Sequence, residues 1–308
     1  MAASVPINRP LPVVDDEGFV LSKNTVWKRF RRHKLALAGI AVLGVMILVA
    51  IFANQLKPYD PNAIDNVHWL GTPLAPGVAH HALGTDEVGR DLLSRLMFGA
   101  RISLTVGITA TLMEILIGTI LGAIAGYYGG WVDYIIMRVT DVFLSIPLLP
   151  LLLVLTAIVA ASSSKASLSF GVIVIIIGAL TWPSVARLVR AQFLSLRERE
   201  YTEAARAVGN NDARIIFRHL LPNSMAPIIV QATLDVANVI VLESTLSFLG
   251  FGIQPPTASW GNMLSNAISN LQVAWWAAVF PGLCILVTVL SINYMGDGLR
   301  DALDPNMR

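Results

Sequence analysis

The chain alternates between long runs without a formal charge and short segments where Arg, Lys, Asp and Glu gather. Leu35–Leu56 holds 22 residues with none of the four. Ile102–Met113 and Ile115–Val132 are uncharged around the single Glu114, and Val142–Ser164 and Ala166–Ala186 flank the single Lys165. Beyond Arg218 only Asp235 and Glu243 interrupt the chain as far as Asp297, and Ser244–Gly296 is 53 residues without a charge. A helix crossing the hydrocarbon core needs roughly 20 apolar residues. The pattern therefore predicts an all-α integral membrane protein with six spans, near 35–54, 103–126, 142–161, 168–186, 226–249 and 274–296. The runs are continuously apolar, whereas barrel strands alternate, and in lipid an isolated segment can satisfy its backbone only as a helix. Pro147, Pro150, Pro183 and Pro281 fall in or beside the spans and predict local kinks.

Composition agrees. Of 308 residues, 55% are apolar and 14% charged, against about 25% charged in a soluble domain. Disorder is excluded by the aliphatic content. A disulfide framework is excluded by the single cysteine, Cys284, which reads as a small buried apolar residue. A net charge of +2 gives no ground for nucleic-acid binding. There is no solenoid repeat and no low-complexity tract.

The basic residues set the orientation. With a cytoplasmic N-terminus, the inner segments 1–34, 127–141, 187–222 and 297–308 hold 17 of the 22 Lys and Arg, and the outer segments hold 5. This positive-inside bias puts both termini in the cytoplasm. Residues 1–34 then form a cytoplasmic segment ahead of a six-span membrane domain over 35–308. The first 25 residues lack the compact apolar core of a cleavable signal peptide. The cluster from Lys28 to Lys34 is expected against the anionic inner leaflet.

The longest inner loop, 187–222, carries most of the polar information. Arg199 and Glu203 are four apart and predict a pair across one helical turn. Gly209 suits a left-handed C′ position, and Asn211 or Asp212 can cap a following helix that Pro222 closes. The segment thus predicts a helix–turn–helix on the cytoplasmic side; a solvated charged loop is the plainer alternative. Its spacing goes further. Glu203-Ala204-Ala205, three residues, Gly209, nine residues, His219, one residue and Leu221-Pro222 resembles the EAA motif of ABC-importer permeases, with His219 where the family pattern has isoleucine.

Two other stretches narrow the resemblance. Leu83-Gly84-Thr85-Asp86, Gly89-Arg90-Asp91 and Ser94-Arg95 match a segment of the dipeptide/oligopeptide/nickel permeases. So do Leu246–Gly250, Gln254–Thr257, Trp260–Leu264 and the tail from Gly296 to Pro305. The chain is similar to the second, C-type, inner-membrane permease subunit of that family along nearly its whole length, with residues 1–25 and the loop near 60–80 unconstrained. The resemblance implies a six-span ABC-importer transmembrane domain with a cytoplasmic coupling helix. It implies a homologous second permease subunit, two cytoplasmic ATP-binding subunits that hold ATP and Mg, and an extracytoplasmic solute-binding protein. Glu203, Ala204, Ala205, Gly209, His219, Leu221 and Pro222 would then face an ATPase, and this chain would carry no cofactor and no metal. The substrate class it implies is peptides, dipeptides first, with oligopeptides, glutathione and nickel chelates as alternatives, and the location is the cell inner membrane.

Two groups of charges have more than one reading. Asp86, Arg90, Asp91 and Arg95 on the outer side form either a local ion-pair cluster or a docking surface for the binding protein. Glu114, Asp235 and Glu243 fall inside spans, where a charge costs roughly 2.5–3.5 kcal/mol on the lenient insertion scale. They either line a path that meets a peptide's amino terminus or basic side chain, or bond between helices. His80 and His81 are expected to be solvated. The uncharged stretch 250–272 suggests an interfacial or re-entrant turn, with Trp260, Trp275 and Trp276 at headgroup depth.

Catalysis finds no support. No glycine-rich phosphate loop precedes any of the five lysines, and no H-E-x-x-H or C-x-x-C is present. Asp235 and Glu243 lie eight apart, about 12 Å along a helix, too far to share a proton. An ion-coupled carrier using the three carboxylates would leave the EAA-like segment unexplained, and the inverted repeats of such carriers are not seen.

Overall fold

A computed structural model describes residues 27, 29–162 and 170–303. The expectations for the N-terminal 26 residues, Lys28, Lys165 and the tail from Asp304 lie outside these. Helix α1 (Lys34–Ile51) begins where His33 Nδ1 accepts the Ala36 N–H at 3.1 Å, and the short α2 (Ala53–Leu56) continues it. After a loop come α3 (Leu92–Tyr128), α4 (Gly130–Ser145), α5 (Leu148–Ser162) and α6 (Phe170–Arg197). The short α7 (Glu200–Ala207) and α8 (Asp212–Ile215) lead through a π-helical turn at Ile216–Leu220 into α9 (Leu221–Phe248). Helices α10 (Trp260–Ala267) and α11 (Trp276–Leu303) complete the described chain.

Among the described residues, five helices are long and apolar enough to cross a bilayer, and the bent pair α4–α5 makes up to a sixth crossing. That pair departs from the expected third span at 142–161. The helix axis turns by 87° at the Ile146-Pro147 break, inside the expected span, where Pro147 predicted only a local kink. Proline disfavours helical backbone at the residue before it, and Ile146 is extended (φ −92°, ψ 129°). The remainder of α4, expected as an inner loop, is helical and is held to α6 by Arg190–Asp133 and Arg187–Asp141 ion pairs.

Helix α3 is longer than its charge-free run because Arg95 and Arg101 mark the limit of the apolar sequence, not of the helix. It starts at Asp91, whose carboxylate accepts the Ser94 N–H at 2.7 Å. Arg101 is absorbed by donating to the carbonyls of Ala50 and Ile51 at the end of α1, both at 2.9 Å. At 37 residues, α3 is about 55 Å long and joins the two polar ends of the molecule.

The α3–α6 contact is the largest between helices in the described chain. It is built on Gly118, Gly122 and Gly126, spaced one per turn along α3. A Cβ at Gly122 would sit 2.5 Å from the Ala186 carbonyl and 2.8 Å from Val189 Cβ, so only glycine lets these backbones approach. In lipid, where there is no apolar driving force between helices, such small-residue seams replace it with close packing. The opposite face, Ile108, Leu112, Leu116 and Ile120, is exposed at the same four-residue spacing.

Of four buried clusters among the described residues, three follow one another along α3 and are named outer, middle and inner after the orientation expected from the basic residues. The outer one brings Leu92, Leu96, Ile240, Trp260 and Trp276 together. Trp260 and Trp276 are buried and donate their indole N–H to the carbonyls of Leu96 (3.2 Å) and Thr85 (3.3 Å), so they act as core residues; Trp275 is the exposed one. The middle cluster holds Val106, Ile173, Ile177 and Leu246. The inner one joins Tyr127, Val189, Phe193, Ala205, Ile215 and Leu220.

Candidate coupling site

The segment after α6 folds as two short helices around a tight turn. Helix α7 ends in a Schellman arrangement: Asn210 N–H bonds the Ala205 carbonyl at 3.2 Å and Gly209 N–H bonds the Arg206 carbonyl at 2.9 Å. Gly209 takes the left-handed position this geometry needs, with φ +83°. Asn211 then caps α8 by accepting the Arg214 N–H at 2.9 Å. The expected Arg199–Glu203 ion pair does not form. Arg199 is the extended N-cap of α7, and its carbonyl accepts the Glu203 N–H at 3.2 Å, so its side chain is not on the helical face with Glu203.

The protrusion is seated by its inward face. Ala205, Ile215 and Leu220 are buried in the inner cluster, and Thr202 is buried beside Ala205 on α7. Thr202 donates to the Leu196 carbonyl at 2.9 Å. Tyr127, at the end of α3, donates its hydroxyl to Asp212 at 2.7 Å, with the Arg206 guanidinium 5.6 Å from its ring centre. The turn is thus packed against side chains of α3, α6 and α9.

Its outward face is open. Glu203, Ala204, Gly209 and Pro222 are exposed, His219 and Leu221 half-buried, and Ala205 alone of the motif residues points into the core. Two residues that spacing arguments missed are prominent: Val208 is 84% and Phe217 is 68% exposed. Both lie on the open face of the protrusion beside its charged residues. The signal was present in the sequence as apolar residues flanking Gly209 in an otherwise charged loop.

The three intramembrane carboxylates separate into two environments. Glu243 is fully buried and hydrogen-bonded by Ser247 at 2.6 Å and Ser103 at 3.2 Å; Ser103 also accepts the Trp260 N–H at 3.3 Å. It fastens α9 to α3 and to the outer hairpin. Glu114 and Asp235 instead share a cavity of about 440 Å3 bounded by α3, α6, α9 and the α4–α5 bend.

Residues 118–308 match the family described as binding-protein-dependent transport system inner membrane component, and residues 24–76 match the N-terminal transmembrane domain of oligopeptide transport permease C. The chain belongs to the inner-membrane components of binding-protein-dependent transport systems. Among similar proteins, the dipeptide transport system permease protein DppC of Escherichia coli K12 is 44% identical over 304 residues, 98% of this chain and 97% of that one. The DppC protein of Alkalihalophilus pseudofirmus is 42% identical over 282 residues, 92% and 89% of the two chains. The glutathione transport system permease protein GsiD of Pectobacterium atrosepticum is 41% identical over 299 residues, 97% and 96%. In fold, the permease resembles a chain of the inward-facing MetNI methionine ABC transporter, with TM-score 0.54, 17% identity, and coverage of 69% of this chain and 97% of that chain. The permease is thus a multi-pass inner-membrane transport subunit, not an enzyme.

On the other side of the permease, Asp86, Arg90, Asp91 and Arg95 are brought together and turned inward, each no more than 9% exposed. Asp86 accepts from Arg90 at 2.7 Å and lies 3.3 Å from Arg95 Nε, and Arg95 also donates to the Pro61 carbonyl at 3.1 Å. This is the local ion-pair arrangement. Glu87 beside it has its carboxyl pushed up by burial and by the neighbouring Asp86. His81, expected to be solvated, is 3% exposed and lies between Asp91 (2.8 Å) and Asp65 (3.3 Å). Its burial follows from the charge partners that the loop folds over it. The Asp65 carboxyl is held down to about 2, chiefly by its hydrogen bond with the His68 ring at 2.8 Å.

Proposed function

We propose that this permease forms half of the translocation path of an ATP-driven peptide importer and that the protrusion 200–222 is its coupling element. In this reading a homologous permease subunit completes the path. Two cytoplasmic subunits bind ATP and Mg and grip the protrusion, and a solute-binding protein delivers substrate at the opposite end of α3. The positive-inside charge bias supports cytoplasmic termini and a cytoplasmic protrusion. The observation that carries the proposal is the Gly209 turn: a motif-spaced segment folded into a rigid hairpin, rooted in the inner cluster and presenting Glu203, Ala204, Val208 and Phe217 outward.

Alternating access follows from this construction. Movement of the protrusion is carried into α6 and α9, which bound the cavity from two sides. Substrate shifts the equilibrium only through different affinity for the two states. Because Asp86 is taken up by Arg90 and Arg95, and Asp91 by His81 and Ser94, these residues act by shaping the outer loop, and the exposed Val67 and Leu70 (79% and 89%) are its available contacts for the binding protein.

Dipeptides are the first substrate class, supported by relatives named for dipeptide transport over nearly the full length of both chains. Glutathione is the second, supported by the GsiD relative. The test is reconstitution of the permease with its neighbouring-gene partners in proteoliposomes. Uptake of labelled dialanine that requires ATP, the ATPase subunits and the binding protein is expected. Uptake by the lone chain, driven by an ion gradient, would overturn the proposal.

A further inference from the structure

We propose that Glu114 and Asp235 form an intramembrane subsite for the ammonium group of the transported peptide. This rests on the peptide-importer reading and adds to it a recognition site within the membrane path itself.

Glu114 lies on α3 and Asp235 about midway along α9, far apart in sequence, and the fold sets both against one cavity. They are 3% and 7% exposed. Among the described residues no lysine, arginine or histidine lines that cavity. Asp235 is met only by neutral amides, Gln231 at 2.9 and 3.0 Å and Asn238 at 3.4 Å. Glu114 Oε2 is buried with no partner among the described residues, and the hydroxyl of Thr181, which lines the same cavity, donates to the Ile177 carbonyl at 3.0 Å. Buried acceptors without donors are rare in native proteins because each carries its full desolvation cost. One such acceptor on Glu114 and a buried Asp235 carboxylate met only by amides, both facing one cavity, define a place for a cationic donor. A primary ammonium fits, because it brings three N–H donors and one positive charge to two carboxylates.

The remaining walls suit the rest of such a ligand. Phe143, Ile146, Pro147 and Leu242 supply apolar surface, and Ser184 and Asn238 supply exposed polar groups at the rim. The volume falls in the ordinary range for small-molecule sites. The wall at Ile146-Pro147 is the 87° bend itself, so straightening or rotation of α5 changes the mouth of the cavity. Glu243, with two serine donors at 3.2 Å or less, lies outside this site.

The test uses the complete reconstituted transporter. Glu114→Gln and Asp235→Asn are each expected to lower the ATP-driven uptake of dialanine at least about tenfold, the equivalent of one charge-assisted hydrogen bond. Uptake should be partly restored by Glu114→Asp and Asp235→Glu. Glu114→Gln should not lower the melting temperature, because it removes a buried charge whose Oε2 has no donor to lose. If uptake is unchanged, or if uptake and melting temperature fall together in Glu114→Gln, as when a basic side chain of the second permease fills the cavity, the subsite is overturned. As a second measurement, Ser184→Cys in a Cys284→Ser background is labelled with a thiol reagent. Dialanine should protect this position and N-acetyl-dialanine should not; equal protection by both, or protection by neither, overturns the subsite. If the parent transporter imports dialanine on ATP in those cases, the importer reading stands alone. If the parent imports no peptide, both readings fall.

Discussion

Gly209 allows the coupling proposal to be examined through a single backbone position. Its φ of +83° is left-handed, and a Cβ built there meets nothing within 4 Å. A substitution therefore acts through conformation alone, without a clash. An L-residue in this region costs about 1–2 kcal/mol, and more when β-branched. A penalty of that size reduces the population of the correct turn roughly five- to thirtyfold. The loss should appear in the turn held by the Asn210–Ala205 and Gly209–Arg206 bonds, and not in membrane insertion. Gly209→Val should reach the membrane at normal levels and import dialanine five- to thirtyfold less per ATP hydrolysed. Gly209→Asn should stay close to the parent, since asparagine enters the left-handed region readily. The assay is paired uptake and phosphate release in proteoliposomes. Normal uptake by Gly209→Val, or an asparagine variant as impaired as the valine one, would refute the reasoning.

Three further predictions concern other parts of the structure. Gly122→Val should lower the melting temperature of the purified permease, the overpacked α3–α6 seam costing about 1–3 kcal/mol. Gly44→Ala, where a Cβ meets nothing within 4 Å, should not lower it. Tyr127→Phe removes the 2.7 Å bond to Asp212, a loss of about 0.5–1.5 kcal/mol; hydrogen exchange at residues 208–214 should rise while that of the α3 centre stays unchanged. The third concerns pH. A carboxyl held below its ordinary value stabilises the fold at pH above that value, and the contribution is lost as pH falls toward the lowered one. For Asp65 that window runs from 3.8 down to about 2. Acidification through it should loosen the outer loop in hydrogen exchange, and Asp65→Asn should flatten that dependence.

Much of the fold was legible because lipid imposes one rule, the absence of charge over a span, on every crossing helix. That rule located five long helices and failed where charge and helix boundaries part company. Arg95 and Arg101 end an apolar run yet lie within α3, because Asp86 and the carbonyls at the end of α1 take up their charge. Pro147 was readable as a kink, but the size of the bend depends on how α4 is tied to α6 by Arg187 and Arg190.

At the coupling site the local chemistry was partly legible: Gly209 and Asn211 occupy the turn and cap positions that their backbone preferences indicate, whereas Pro222, expected to close a helix, sits in the first turn of α9, where its missing N–H costs no helical bond. The inward turn of Ala205 was not, since it depends on helix phase against the inner cluster. The division of the carboxylates was likewise invisible. Asp235 and Glu243 share one helix and look equivalent in sequence, but Ser247 on the next turn and Ser103 on α3 both donate to Glu243, while Asp235 meets only amides. Glu114 was paired with Asp235 by tertiary packing alone. Trp260 and Trp276 resembled interfacial anchors because tryptophan is common there, yet both find carbonyl partners in the core.

The central claim, that the protrusion joins this chain to a nucleotide-hydrolysing partner, is tested most directly at its two exposed apolar residues. Val208→Cys and Phe217→Cys, each in a Cys284→Ser background, are treated with a thiol cross-linker in membranes carrying the whole transporter. The account predicts a covalent product with the ATP-binding subunit whose yield changes when ATP is added. A product with the solute-binding protein, or labelling of either cysteine from the external side of intact cells, would contradict it.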